Sequence, residues 1–185
     1  MDKKLQDIYQ DQIKNEWYSA YLYLSMVSYF ESINLDGFAQ WMKKQAAEEQ
    51  AHGQKMFDFL IDRGVRVVLQ AIPQPPSDFS SPQDVFERTL EHEKKVTGLI
   101  HAIADLSEKA NDHPSKVFIQ WFVSEQVEEE KNATKILETL KKIRPDSSAT
   151  SRTARWAMFR RVPPGQRSSD SQAVIDPLVS SITGW

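Results

Sequence analysis

The chain has 185 residues, 40 % of them apolar, and a formal net charge of −3. That length allows one domain with a sizeable core plus an appendage, and the mildly acidic balance offers no basic excess for nucleic acid. Cysteine is absent, which excludes disulfides, thiolate-held zinc and Fe–S ligation by the chain itself.

The first residues, MDKKLQDIYQDQ, have no apolar stretch of the signal-peptide kind. No run approaches the roughly 18 apolar residues of a membrane span. A cytoplasmic protein with no membrane partner is therefore expected.

Residues 3–32 contain neither Gly nor Pro. Leu5, Ile8, Tyr9, Gln12, Ile13, Glu16, Trp17, Ala20, Tyr23, Leu24, Val27 and Phe30 recur at spacings of three and four, which predicts one long helix. Asn34-Leu35-Asp36-Gly37 reads as a turn with Asp36 as N-cap. A second helix should run to about Arg63 and stop at Gly64. So short a loop makes the pair an antiparallel hairpin.

Residues 64–81 differ in kind, because Pro73, Pro75 and Pro76 exclude a helix. Extended, this segment can reach about 60 Å, more than the roughly 40 Å of the preceding helix. It can cross the whole bundle and start the third helix parallel to the second. Ser81-Pro82 is an N-cap followed by proline at the first helical position. The third helix should end near Lys109, residues 110–114 form a turn, and a fourth helix runs to about Ile143 before Arg144-Pro145. The predicted fold is all-α: a four-helix bundle of two antiparallel hairpins joined by one long crossover, occupying residues 1–143.

Residues 144–185 form an atypical C-terminal tail. They contain no Lys and six Arg, whereas the rest of the chain holds 14 Lys and three Arg. Helical periodicity is lost. The composition is compatible with a flexible appendage, a fusion or an altered reading frame.

Candidate chemistry emerges from a repeat. Glu16, Glu49 and His52, shifted by 77 positions, become Glu93, Gln126 and Glu129. Glu49 and His52 are i, i+3 and share a helix face, as do Gln126 and Glu129. Glu16 lies within the apolar stripe, two turns before Tyr23. Burying one carboxylate there is costly, and carboxylates from neighbouring helices add like-charge repulsion. Bound cations remove both problems. Oxygen donors with one imidazole suit iron, manganese or zinc, and two metals bridged by Glu49 would balance about four carboxylates. Met26, Met42, Met56, Trp17, Trp41 and Trp121 read as core. His92, His101 and His113 read as ordinary helix or turn residues.

Residues 1–143 resemble the non-haem bacterial and archaeal ferritins. The resemblance rests on the strings at 16–26 (EWYSAYLYLSM), 48–52 (EEQAH) and 120–130 (QWFVSEQVEEE). It implies a ferritin-like bundle that stores and detoxifies iron. Fe²⁺ would be oxidised to Fe³⁺ at a di-iron ferroxidase centre by O₂ or H₂O₂, and ferric mineral held in a cage of 24 subunits. Glu16, Glu49 and His52 would hold the first iron. Glu49, Glu93 and Glu129 would hold the second, with Gln126 orienting dioxygen or water. Tyr23 would stand beside the centre to hydrogen-bond a ligand or supply an electron, and Trp121 is a further donor candidate. Glu48, Glu125 and Glu128, sharing Glu129, correspond to a third iron site.

Bacterioferritins carry a second Glu-x-x-His on the fourth helix, where this chain has Gln126-x-x-Glu129; they also place a haem methionine where Gln50 stands, so no haem is expected. The usual apolar fifth helix is not legible in the tail, which leaves cage assembly open. A structural or cargo role, with the tail as working part, is the alternative class.

Overall fold

The computed structural model describes residues 1–143 and contains four helices: α1 (Lys3–Ser32), α2 (Asp36–Asp62), α3 (Pro82–Lys109) and α4 (His113–Ile143). The expectations for residues 144–185 lie outside the described residues. None of the four helices is long and apolar enough to cross a membrane.

Local chemistry sets the boundaries. The Asp2 carboxylate accepts from Leu5 N at 2.8 Å and caps α1. Asn34 sits at φ 58°, a conformation its short polar side chain tolerates. Asp36 is the first helical residue, not the N-cap expected. Leu35 takes the cap position, where its aliphatic side chain can make no capping bond and packs into the core instead. Asp36 still places its charge at the positive end of the helix. Gly64, at φ 70°, terminates α2, and Val65 N bonds back to Leu60 O at 2.9 Å. Ser81 caps α3 through Asp84 N at 3.1 Å, with Pro82 following. Asp112 caps α4 through Ser115 N at 3.1 Å. His113 and Pro114 therefore belong to its first turn, where proline's missing N–H is harmless.

The crossover travels along α1, as its length allows. Val68 N bonds to the Gln10 side chain at 2.8 Å, Gln70 to Asp11 at 2.7 Å, and Ser25 to Pro76 O at 2.6 Å. Phe79 then meets Tyr29 at a ring separation of 5.4 Å. Side-chain pairs fix the direction of α3. Thr89 faces Met26 while Glu93 faces Tyr23, so α3 runs antiparallel to α1 and parallel to α2.

The core is divided. One apolar block contains Leu22, Met26 and Phe30 of α1, Phe38, Trp41 and Met42 of α2, Phe86 of α3 and Ile136 of α4. The other holds Leu5, Tyr9, Ile13, Met56, Leu60, Ile100, Ile119 and Phe122. Between them lies a buried polar layer of Gln12, Glu16, Ser19, Gln45, Glu49, His52, Glu93, Gln126 and Glu129. Hydrophobic burial above and below holds the helices together at the level where their charges repel. Met26, Met42, Met56 and Trp41 are core residues as expected. Trp121 is not: it is 40 % exposed, and Trp17 is half-buried.

Candidate metal centre

Glu16 comes from α1, Glu49 and His52 from α2. Their ligand atoms lie within 4.8 Å of one another. His52 Nδ1 is 3.8 Å from Glu16 Oε2 and 3.6 Å from Glu49 Oε2. Glu93 of α3 and Glu129 of α4 enter the same layer from the other side, both buried. They stand outside the tight three-residue group, although the charge of each acts on its neighbours.

Each outer oxygen is held by a neutral donor. Gln12 Nε2 donates to Glu16 Oε1 at 2.8 Å, and Gln45 Nε2 to Glu129 Oε2 at 2.8 Å. The Tyr23 hydroxyl donates to Glu93 Oε1. Glu16 Oε2, both oxygens of Glu49 and Glu93 Oε2 are left buried without a hydrogen-bond partner. Such oxygens are expensive to bury. Their number and grouping match the inner face of an oxygen-donor cation site.

The electrostatics follow from burial. Desolvation first, then the charges of Glu16 and Glu93, push the Glu49 carboxyl well above the ordinary carboxylate range. Burial raises Glu93 to about 7, opposed by the Tyr23 bond. Burial and then Glu93, Glu48 and Glu125 raise Glu129 to about 9. Tyr23 is raised well above 10 by burial and by Glu93 and Glu49, so it remains a phenol donor. A cation would lower all four, since an adjacent positive charge favours the anionic form.

The expected third set is only partly assembled. Glu48 and Glu125 are half-exposed and act on Glu129 through their charge. Glu48 also pairs with Lys44 at 3.8 Å. Glu128 is exposed, and the structure does not bring it into the layer.

Several supporting residues escaped the sequence reading. Gln12 precedes Glu16 by four positions, Gln45 precedes Glu49 by four, and Thr97 follows Glu93 by four. Helix geometry places each on the same face as that glutamate, and that spacing was the available signal. His92 is not an ordinary helix residue. Its Nε2 lies 2.8 Å from Ser19 Oγ and its ring stands edge-on to Tyr23 at 6.2 Å. Burial, then Lys95, lowers it to about 4, so it is neutral near pH 7. His101 and His113 are exposed.

Two packing details fix the first ligand group. A methyl on Gly53 would lie 2.4 Å from Trp17 Nε1, so only glycine admits this approach of α1 to α2 beside Glu16 and His52. Trp121 stands edge-on to His52 at 5.3 Å, with Lys55 Nζ 3.4 Å above its face.

A family model described as a ferritin-like domain matches residues 6–143. A bacterial non-heme ferritin of Bacteroides fragilis is 40 % identical over 142 residues, covering 77 % of this chain and 89 % of that protein. One from Staphylococcus saprophyticus is 36 % identical over 148 residues, covering 80 % and 89 %. Among solved structures, an open pore ferritin from the hyperthermophilic archaeon Archaeoglobus fulgidus superposes with a TM-score of 0.78 at 47 % identity, covering 80 % of this chain and 90 % of that one.

Proposed function

This chain belongs to the ferritin family, and we propose that it stores iron by oxidising Fe²⁺ at a two-metal centre within its own bundle. The four buried carboxylate oxygens without hydrogen-bond partners carry this reading. Bound cations would lower the raised carboxyls of such a centre and give these oxygens partners.

In the proposed arrangement Glu16, Glu49 and His52 receive the first Fe²⁺. Glu93 and Glu129 receive the second, with Glu49 between them and Gln126 alongside. Two Fe²⁺ each lose one electron, and O₂ takes both electrons with two protons to become H₂O₂; H₂O₂ can replace O₂ as oxidant. The chain's contribution is positional. Gln12, Gln45 and Tyr23 hold the outer oxygens, so the inner ones converge without reorganisation. Tyr23 is the phenol nearest the second position and the natural hydrogen-bond donor to an oxygen species there. Glu48 and Glu125, with Glu129 and the exposed Glu128, would serve as a third iron site. The mineral is held in a cage of 24 chains, the assembly proposed for this family member, in the cytoplasm and without haem.

The test is oxidation of Fe²⁺ in air by the purified metal-free protein, followed by ferric absorbance beside a Glu49→Ala/His52→Ala double variant. A fast phase in the parent that vanishes in the variant supports the reading. Equal slow oxidation in both would refute it.

A further inference from the structure

One hydroxyl behind the proposed second metal position has more acceptors than protons. Thr97 Oγ1 lies 3.0 Å from Gln126 Oε1, 2.6 Å from Glu130 Oε1 and 3.0 Å from the carbonyl of Glu93. A threonine has one proton to give and two lone pairs with which to accept. The Glu93 carbonyl lies within α3 and has the helix's own amide as partner. The contest is therefore between the buried amide of Gln126 and the half-buried carboxylate of Glu130.

The two outcomes turn Gln126 opposite ways, and neither satisfies every group: a proton given to Gln126 leaves Glu130 Oε1 at 2.6 Å from Thr97 Oγ1 with none between them, and a proton given to Glu130 turns the amide oxygen towards the Glu93 carboxyl. If Thr97 gives its proton to Gln126 Oε1, the amide NH₂ faces Glu93, where it favours the ionised carboxyl. The structure has Gln126 Oε1 on the Thr97 side. If Thr97 gives its proton to Glu130, the shortest of the three contacts, its lone pairs are free to accept an N–H from Gln126. The amide oxygen then faces Glu93. An N–H repels a cation, whereas an amide oxygen is a hard ligand for one.

We propose that Thr97 and Glu130 are positioning residues for Gln126, allowing its amide to turn end for end. The amide offers N–H to Glu93 in the metal-free chain and its oxygen to a cation held beside Glu93 and Glu129. Thr97 is the pivot because a hydroxyl can either give or accept. Glu130 is the acceptor that takes the Thr97 proton when the amide has turned. The inference rests on the two-metal reading above and adds residues outside the predicted ligand set.

Titration of the metal-free full chain with Co²⁺, followed by its visible absorption and by calorimetry, separates the two ideas and needs no turnover. The parent chain should bind at least two Co²⁺; binding of only one would overturn the two-metal reading and this inference with it. Thr97→Val keeps the shape but removes the hydroxyl. It should weaken the second Co²⁺ by about tenfold, the worth of one lost hydrogen bond to a buried amide, and leave the first within about twofold. Thr97→Ser should restore parental affinity. Glu130→Gln keeps an acceptor and should cost about threefold or less through its lost charge, whereas Glu130→Leu should cost about tenfold. Two Co²⁺ bound to Thr97→Val with parental affinities would overturn the proposal while leaving the two-metal reading intact. So would equal losses in Glu130→Gln and Glu130→Leu, since charge alone would then explain them.

Discussion

Replacing Glu129 with Gln should stabilise the metal-free protein at pH 8 and do almost nothing at pH 5. Glu129 is 5 % exposed, and its carboxyl is raised from 4.5 to about 9, chiefly by burial. The folded chain therefore keeps a proton that the unfolded chain releases. Stability is full below pH 4.5 and falls as pH rises towards 9. At about 1.4 kcal/mol for each unit between 4.5 and 8, the deficit at pH 8 is roughly 4–5 kcal/mol, and at pH 5 it is below about 1 kcal/mol. Glutamine has the same shape, carries no proton to lose, and still offers an oxygen to Gln45, which donates to Glu129 at 2.8 Å. Calorimetric melting in the presence of a chelator should show a gain on the order of 10 °C at pH 8 and little change at pH 5. With Fe²⁺ or Co²⁺ added anaerobically the parent should recover the difference, because the cation supplies the countercharge that glutamine makes unnecessary. A shift of the same size at both pH values would assign the effect to packing and refute the electrostatic argument. A lower melting temperature at pH 8 would refute it outright.

Gly53→Ala should force Trp17 or the α1–α2 spacing to give way, costing about 1–3 kcal/mol as overpacking usually does; chemical denaturation would measure it, and Trp17→Ala in the same chain should recover most of the loss. Asp112→Ala removes both the fork to Arg63, at 2.8 and 2.9 Å, and the cap on Ser115, and should cost about 2–3 kcal/mol. The Arg63 guanidinium holds the Asp112 carboxyl well below its ordinary 3.8. The contribution of this pair is therefore present above pH 3.8 and lost as pH falls further, so parent and variant should converge in acid-titration melts. Deleting residues 144–185 should leave the fast phase of Fe²⁺ oxidation unchanged, since every proposed ligand lies between residues 16 and 129; loss of that phase in a chain that still folds would give the tail a part in the chemistry.

The legible parts of the fold were those where one residue type can do only one job. Gly64 takes a backbone conformation closed to most side chains, the prolines of 73–76 bar a helix, and Ser81-Pro82 starts one. The buried polar layer was legible for a related reason: polar side chains set in an apolar stripe, and repeated at one spacing, are turned inward by the same helix geometry that buries their apolar neighbours. The misreadings came from residues whose role depends on tertiary context. Asp36 has the chemistry of a cap, but burial of Leu35 decides where the turn closes. Trp121 lies among apolar residues in the chain, yet its neighbours Phe118, Ile119 and Phe122 take the inward positions and rotate it outward. Gln12, Gln45 and Thr97 are common helix residues, and nothing in their identity marks them as the donors that hold Glu16, Glu129 and Gln126. Only the spacing of four from a proposed ligand does so, and many solvent-facing residues share it.

The most direct test is diffraction from crystals of the chain loaded anaerobically with Fe²⁺, recorded on both sides of the iron absorption edge. The account predicts two anomalous peaks per chain inside the polar layer. One should lie against Glu16, Glu49 and His52, the other against Glu93 and Glu129, with Glu49 touching both. A single peak, or iron found only on exposed carboxylates while the Glu49 oxygens stay bare, would contradict it.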